Sequence, residues 1–490
     1  MYFRSTRAKH VKVSASQAIL QGLSEDGGLF VPEFIPSFTV GLNELKLMTY
    51  HQIAYEVMRL YFTDFSETEL KDCINSAYDG KFDDEAIAPL KEVGGTYYLE
   101  LFHGATIAFK DMALSILPHL MRVSAKKKNL KEEIVILTAT SGDTGKAALA
   151  GFADVEGIKI IVFYPKDGVS LIQERQMVTQ TGENTHVVAI HGNFDDAQTG
   201  VKNIFNDKEM QDKLKEKGYV FSSANSINIG RLFPQVVYYF YAYAQLLKAG
   251  KINEGEEINF AVPTGNFGNI LAAYYAKNMG LPIAKLICAS NENKVLYDFF
   301  GSGTYDKNRD FILTSSPSMD ILISSNLERL IFHITGNDPD KCKELMESLG
   351  ALGKYDISMA MKEKLNDFVG GFASEADTLS AIKRVYEESG YVLDPHTAVA
   401  DFVYHKGFKD ERKAVVVATA SPYKFVRSVI MAIDESKAGI DEFDLIDELE
   451  EISKVAVPKA ISDIRNADVL HNTVCTIAEM PQIVGGFLQK

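Results

Sequence analysis

The 490-residue chain has no tryptophan, so its ultraviolet absorbance rests on 22 tyrosines. Its four cysteines, Cys73, Cys288, Cys342 and Cys475, lie far apart without CxxC spacing or clustered histidines. That scarcity argues against a disulfide framework and a structural zinc site, and suits reduced thiols in the cytosol. Basic residues are outnumbered, 51 against 66 acidic, for a net charge of −15. An acidic surface repels phosphate backbones and anionic lipid heads, so neither nucleic acid nor a membrane surface is an expected partner. The one dense basic run, Lys126-Lys127-Lys128, reads as a solvated helix end. No apolar run is long enough to span a bilayer: the longest, Leu232 to Leu247, is broken by Pro234, Gln235 and Gln245. The opening stretch MYFRSTRAKHVKVSASQA lacks the apolar segment of a secretory signal. The expectation is a soluble, cytoplasmic protein.

What the chain does have is enough apolar material for a large core. At 46% hydrophobic it is excluded from the disordered class. At ~150 residues per domain, its length implies roughly three domains or one two-lobed unit with an appendage. Residues 1–95 read as a mostly helical N-terminal region, acidic and apolar residues mixing as in DFSETELKDCINSAY. From Thr96 the texture changes to short β-branched runs alternating with amphipathic stretches. The predicted strands are Glu133–Thr138, Lys159–Tyr164, His186–Ile190, Ile258–Val262, Ala284–Ala289 and Ala414–Ala418. Near-continuous apolar runs of this kind suit strands buried on both faces of a parallel sheet, with helices following most of them. The class is therefore α/β, with open and mostly parallel sheets. Residues 96–300 are expected to form the main α/β region, with a small lobe at about 125–245. A helix-rich insertion is expected over 301–390, and 391–490 to complete the large lobe and end in an acidic tail. In that tail Phe443, Leu445, Ile446 and Leu449 recur at helical spacing, which predicts a helix packed by one face.

Ligands of open α/β sheets bind beyond the carboxyl ends of strands, so the strand-to-helix loops are searched first. Two are rich in glycine and small hydroxyls: Thr140-Ser141-Gly142-Asp143-Thr144-Gly145 and Gly265-Asn266-Phe267-Gly268-Asn269. Glycine lets the backbone approach a ligand, and exposed N–H groups at a helix start favour an anion. Neither loop fits the Walker A pattern or GxGxxG, which disfavours a nucleotide-binding dehydrogenase. A third cluster, Asn225-Ser226-Ile227-Asn228-Ile229-Gly230-Arg231, offers amides, a hydroxyl and a guanidinium suited to phosphate. Any one of these loops could be an ordinary capped turn; three together imply more than one phosphate. Lys110 lies between Ile107-Ala108-Phe109 and Met112, and Asp111 could cap the helix that follows. In apolar surroundings such a lysine becomes a neutral amine, nucleophilic toward aldehydes; the alternative is a snorkelling surface lysine. In the last loop, Thr419-Ala420-Ser421-Pro422, the hydroxyls could bond a heterocycle nitrogen or cap a helix.

In this order, HGATIAFKD, TATSGDTG, NSINIGR, PTGNFGNI, SPSMDILISSN and VVVATASPYKF resemble the threonine synthase family. These are pyridoxal-phosphate enzymes of fold type II, the tryptophan-synthase β-like fold. LSEDGGLFVPE is similar to the family's N-terminal region, so the resemblance runs to about Phe425. It implies that Lys110 carries pyridoxal phosphate as a Schiff base and, once freed, serves as the catalytic base. Gly265, Asn266, Phe267, Gly268 and Asn269 would cradle the cofactor phosphate, and Thr419 would face the pyridine nitrogen. Ser141, Asp143 and Thr144 would line the substrate side, with Asp143 near the cofactor's 3′-oxygen. Asn225, Ser226 and Arg231 would hold the substrate phosphate. The implied reaction converts O-phospho-L-homoserine and water to L-threonine and phosphate, through loss of phosphate from Cγ and water addition at Cβ, with no metal. Alternatives are a related lyase acting on another phospho-amino acid, or a non-catalytic homologue that binds the cofactor or a phospho-metabolite. Monomer and dimer are both open.

Overall fold

The computed structural model describes residues 1–140, 142–408 and 410–488. Ser141, predicted to line the substrate side, lies outside the described residues. Each predicted apolar run is a strand. In the N-terminal region β1 (Phe3–Ser5) pairs antiparallel with β2 (Phe30–Pro32). Then come β3 (Leu90–Val93), β4 (Thr96–Glu100), β5 (Glu133–Ala139), β6 (Ile158–Pro165), β7 (Thr185–Ile190) and β8 (Tyr219–Ser222). The second half adds β9 (Ile258–Pro263), β10 (Ile283–Ser290), β11 (Thr304–Asp306) and β12 (Lys354–Asp356). It ends with β13 (Phe368–Phe372), β14 (Ala414–Ala418) and β15 (Thr473–Cys475).

Two sheets dominate. The larger runs β13-β10-β9-β14-β4-β3, parallel except for the β3 edge. The smaller runs β15-β7-β6-β5-β8 and is parallel throughout. Helices cover the faces because these strands are apolar on both sides, and β9 and β14 are buried along their whole length. Many helices begin on a side-chain oxygen; Ser66, Ser170, Asn193 and Ser374 each open a capping box.

Nine of the described strands lie outside the six predicted runs, among them two from segments with a different expected role. β13, FVGGF, comes from the segment read as a helix-rich insertion and pairs with β10 at the sheet edge. Its glycines weaken the strand signal but make room: a Cβ on Gly371 would sit 2.3 Å from Val403. β15, in the C-terminal stretch, returns to the smaller sheet rather than the larger one. The acidic tail is the helix Glu442–Ser453, with Leu445, Ile446 and Leu449 buried as the spacing predicts.

The apolar run near Leu232 is a core helix, Pro234–Lys248. Against its start the N-terminal region packs rings, Tyr61 stacking on Phe233 at 3.9 Å and Tyr50 meeting Tyr241 edge-on at 5.3 Å. Deeper tying is polar. Arg329, fully buried on the helix Leu327–Ile334, donates through Nε to the Phe30 carbonyl at 2.9 Å and through its other nitrogens to Asn326 Oδ1 and the Ile227 carbonyl. Beside it Glu328 receives Thr6 Oγ1 at 2.5 Å and Arg7 at 2.6 Å. The N-terminal strand, the loop after β8 and this helix therefore meet on one guanidinium. Arg329→Met would strand three buried oxygens at roughly 1–3 kcal/mol each. Denaturant unfolding of that variant should show a loss of about 3 kcal/mol or more.

Candidate active site

The turn that carries Lys110 follows β4 and is held in a costly shape. Ile107 has φ 53°, a left-handed conformation unusual for a β-branched residue. It is held there from outside: the Ser421 amide donates to the Ile107 carbonyl at 3.0 Å and the Phe109 amide to the Thr419 carbonyl at 2.8 Å. Asp111 does not act as the predicted helix cap. It is the first residue of the helix Asp111–Leu114, and its carboxylate reaches back to accept from Thr106 N at 2.8 Å and Thr106 Oγ1 at 2.7 Å. Gly104 is needed because a Cβ there would come within 2.6 Å of Asp111. The result is a closed turn that presents Lys110 inward, only 9% exposed.

Lys110 Nζ donates to Ser318 Oγ at 2.9 Å and lies 3.4 Å from Asp143 Oδ2. Ser318 Oγ in turn donates to the same Asp143 oxygen at 2.9 Å. The other oxygen, Oδ1, receives Gln173 Nε2 at 2.9 Å and faces Lys424 Nζ at 3.3 Å. Burial pushes the Lys110 amine below its ordinary range; Asp143 partly offsets this, and the charges of Lys424 and Arg231 add to it. Burial would raise the Asp143 carboxyl, but Lys424 and Lys110 outweigh it and hold the group well below the usual carboxylate range. Ser318 is itself fixed: its amide donates to His396 Nε2 at 3.1 Å, and His396 Nδ1 faces Asp394 Oδ1 at 2.9 Å.

The glycine loop after β5 wraps a hydroxyl, with Thr140 Oγ1 accepting from Gly142 N at 3.0 Å and Gly145 N at 2.9 Å. Thr144 sits half-buried in the first turn of the helix Asp143–Phe152. The loop after β9 leads into the helix Gly268–Asn278, with Phe267 at φ 64° as its N-terminal cap. Gly265 packs so closely that a Cβ would fall 2.6 Å from the Ser318 carbonyl. In the same helix Asn269 Oδ1 accepts from Tyr238 at 2.7 Å and Tyr239 at 2.6 Å, while its buried Nδ2 has no partner.

In the cluster after β8 the cap is Asn228, whose Oδ1 accepts from Gly230 N at 2.9 Å; Asn225 is exposed at the rim and Ser226 half-buried. Arg231 is buried, with Nη1 donating to the Ala224 carbonyl at 2.9 Å and Nε left without a partner. Burial lowers its guanidinium to about 10. Asn326 joins the two loops, its Nδ2 donating to the Asn266 carbonyl at 3.0 Å and the Ser226 carbonyl at 3.3 Å. Thr419 is buried beside the Lys110 turn, its amide on Thr397 Oγ1 at 3.2 Å.

Lys110 and Asp143 are therefore in direct contact, Arg231 is near enough for its charge to act on Lys110, and Gly265 reaches the amine through Ser318. Asn225 and Asn266 lie further out, both exposed. Sequence reasoning assigned no part to Ser318, Lys424, Gln173 or His396. Ser318 and Lys424 stand inside the quoted stretches SPSMDILISSN and VVVATASPYKF, but only the fold brings them to Asp143. The arrangement fits a phosphorylated aldehyde cofactor: a buried amine, a glycine-lined helix start and a buried amide donor awaiting an acceptor. A second orphaned donor, on Arg231, fits a second anion.

Fold and site together define an open α/β protein with a buried lysine amine and, in two of its strand-to-helix segments, buried donors without partners. A family profile described as the threonine synthase N terminus matches residues 2–78, and one described as pyridoxal-phosphate dependent enzyme matches residues 86–420. The chain is 37% identical over 501 residues to the threonine synthase of Saccharomyces cerevisiae, covering 95% of this chain and 96% of that one. It is 42% identical over 440 residues to human threonine synthase-like 1, covering 86% of this chain but spanning only 58% of that protein. A crystal structure of pyridoxal-phosphate-bound threonine synthase from Brucella melitensis superposes with a TM-score of 0.88 at 35% identity, covering all of both chains. The chain belongs to the threonine synthase family of pyridoxal-phosphate-dependent enzymes.

At the rim, His103 stands between Asp83, 2.6 Å from Nδ1, and Glu100, 2.9 Å from Nε2. Burial opposes its charge, but the two carboxylate hydrogen bonds outweigh burial and raise it to about 9. A raised value means the pair stabilises the fold fully below the ordinary imidazole range, and the benefit is lost as pH climbs through about 9. His103→Gln should therefore cost roughly 2 kcal/mol near pH 6, with the gap to wild type closing toward pH 10 in urea titrations.

Proposed function

We propose that the chain is a threonine synthase, a lyase of threonine biosynthesis that converts O-phospho-L-homoserine and water to L-threonine and phosphate. In this reading Lys110 holds pyridoxal phosphate covalently. Gly265, Asn266, Phe267, Gly268 and Asn269 take the cofactor phosphate, and Thr419 faces the pyridine nitrogen. Ser141, Asp143 and Thr144 line the substrate side, while Asn225, Ser226 and Arg231 take the phosphate of the substrate. The observation that carries the reading is the pair of orphaned buried donors, Asn269 Nδ2 and Arg231 Nε, one in each anion loop. Two separate phosphates account for both, and a protein binding the cofactor alone needs only one of them.

The bound cofactor supplies an electron sink that makes protons beside the substrate amine removable. The chain supplies the rest. Lys110, once its amine is free, moves protons at Cα and Cβ of the substrate and returns one at Cγ after phosphate departs. Its lowered proton affinity suits an amine that must both take and give protons. Asp143 orients that amine, and Arg231 binds the phosphate that becomes the leaving group, so its charge stabilises what develops there. Cys73, Cys288, Cys342 and Cys475 are all buried and unpaired, which supports a reducing compartment, read here as the cytoplasm.

Purified protein should be yellow and release threonine and phosphate in equal amounts from O-phosphohomoserine; 2-oxobutanoate in place of threonine would assign it to a different lyase. Lys110→Ala removes tether and base together, so kcat should fall beyond the ~10²–10⁴-fold of a lost general base. Arg231→Ala should act mainly on KM, raising it roughly 10–100-fold; unchanged kinetics would remove that loop from the substrate site.

A further inference from the structure

Two buried lysines share one carboxylate, and they differ in the oxygens that face them. The side chain of Lys424 is completely shielded from solvent. Its Nζ faces the Thr106 carbonyl at 2.9 Å, Asp143 Oδ1 at 3.3 Å and Gln176 Oε1 at 3.4 Å. An ammonium has three N–H bonds and no acceptor; here it has two hydrogen-bond acceptors, the Thr106 carbonyl and Gln176 Oε1, and the Asp143 carboxylate adds an ion-pair contact. A neutral amine there would turn its lone pair toward an oxygen. Lys110 also makes two hydrogen bonds, but one of its acceptors is shared and it has no third oxygen among the described residues. It has the Ser318 hydroxyl at 2.9 Å and Asp143 Oδ2 at 3.4 Å, and Ser318 donates to that same oxygen at 2.9 Å.

We propose that Lys424 is a positioning residue for Lys110: its cation stands against Asp143 Oδ1, so that Lys110, left with the oxygen that Ser318 also claims, is the amine that gives up its proton. The neutral amine is what attacks an aldehyde, and a neighbouring cation is a direct way to keep it available. The inference rests on the proposed function only in taking Lys110 as the amine that bears the cofactor.

The charges facing Lys110 come from three elements. Asp143 begins the helix Asp143–Phe152, Arg231 belongs to Ile229–Leu232, and Lys424 to the turn Pro422–Phe425. Asp143 is also faced by His396 from the helix Pro395–Gly407, and the charges of Lys146 and Asp111 lie within reach of Lys424. Arg231 and Lys424 both disfavour a proton on Lys110, but they differ in constancy. An anion bound at Arg231 would cancel its charge during turnover, whereas the partners of Lys424 are all part of the protein. Lys424 is thus the cation whose effect persists through the cycle.

The sign follows from Coulomb's law: removing a cation beside an amine raises its affinity for a proton, and removing an anion lowers it. The test is a visible-band titration of the full chain, purified with its cofactor, from about pH 6 to 10. Lys424→Met should raise the midpoint by roughly one pH unit, about a tenfold change in proton affinity. Lys424→Arg should hold it near wild type, Asp143→Asn should lower it, and the double variant Asp143→Asn with Lys424→Met should fall between the singles. A second readout needs no cofactor: acetic anhydride labelling of the cofactor-free full chain across the same range, followed by peptide mapping of Lys110. Lys424→Met should then require higher pH for the same labelling. An unmoved or lowered profile in Lys424→Met overturns the proposal. If that variant does not fold, a midpoint in Asp143→Asn that fails to drop does so instead. A wild-type chain that makes no threonine would defeat the functional reading, while the labelling profile still decides this one.

Discussion

The site depends on one buried carboxylate. Asp143 sits 6% exposed among groups that are nearly all donors: Gln173, Ser318, Lys110 and Lys424. Isolated, a carboxylate at that depth would cost several kcal/mol in lost hydration and would take up a proton instead. Paired on both oxygens it stays ionised. That is the opposite balance from an ordinary surface ion pair, whose worth is small because water competes for both partners. Burial weakens that competition here, so the neighbouring charges and the hydrogen-bond partners weigh more heavily.

The scaffold around this group is rigid for reasons that extend to both ends of the chain. The Lys110 turn keeps Ile107 at positive φ only because the loop after β14 grips it from outside. Ser318 is held by His396, which is set by Asp394, and Asp394 also receives Thr397 Oγ1 beside Thr419. On the other side Arg329 and Asn326 link the N-terminal strand to the loops after β8 and β9. The N-terminal region therefore buttresses the machinery at one remove, without supplying a residue to the amine itself. Strain at a single turn is tolerated when surrounding contacts over-determine it in this way.

Much of this was legible in the sequence, and the reason is burial. Strands such as Ala414–Ala418 are apolar on both faces because helices cover both sides, so their pattern survives without any partner being known. β13 was not legible: its Gly370 and Gly371 leave room for Phe300 and Val403, and a strand shaped by what packs on it carries little propensity of its own. In the site, the apolar flanks marked Lys110, and the glycine loops marked themselves through backbone demands. Asp111 showed itself as acidic at a helix start, yet its carboxylate closes the turn behind it, a choice that depends on Thr106 and Gly104. Gln173, Ser318 and Lys424 gave no signal because their meaning is relational. Each is ordinary in its own stretch and acquires a role only when the fold sets it against Asp143.

Outside and inside carry opposite charge, and the two facts are connected. The chain is acidic overall, at −15, yet its interior gathers Lys110, Lys146, Lys424 and Arg231 around Asp143 and Asp111. Surface repulsion of an anionic ligand fades within a Debye length of about 8–10 Å in physiological salt. Past that range the interior cations act through protein rather than water and are screened much less. A surplus of buried positive charge is destabilising on its own, and burial lowers both the Lys146 amine, to about 8, and the Arg231 guanidinium. The surplus makes physical sense if the folded state is completed by anions that bring the compensating charge with them. Ligand binding and folding would then draw on the same electrostatic deficit.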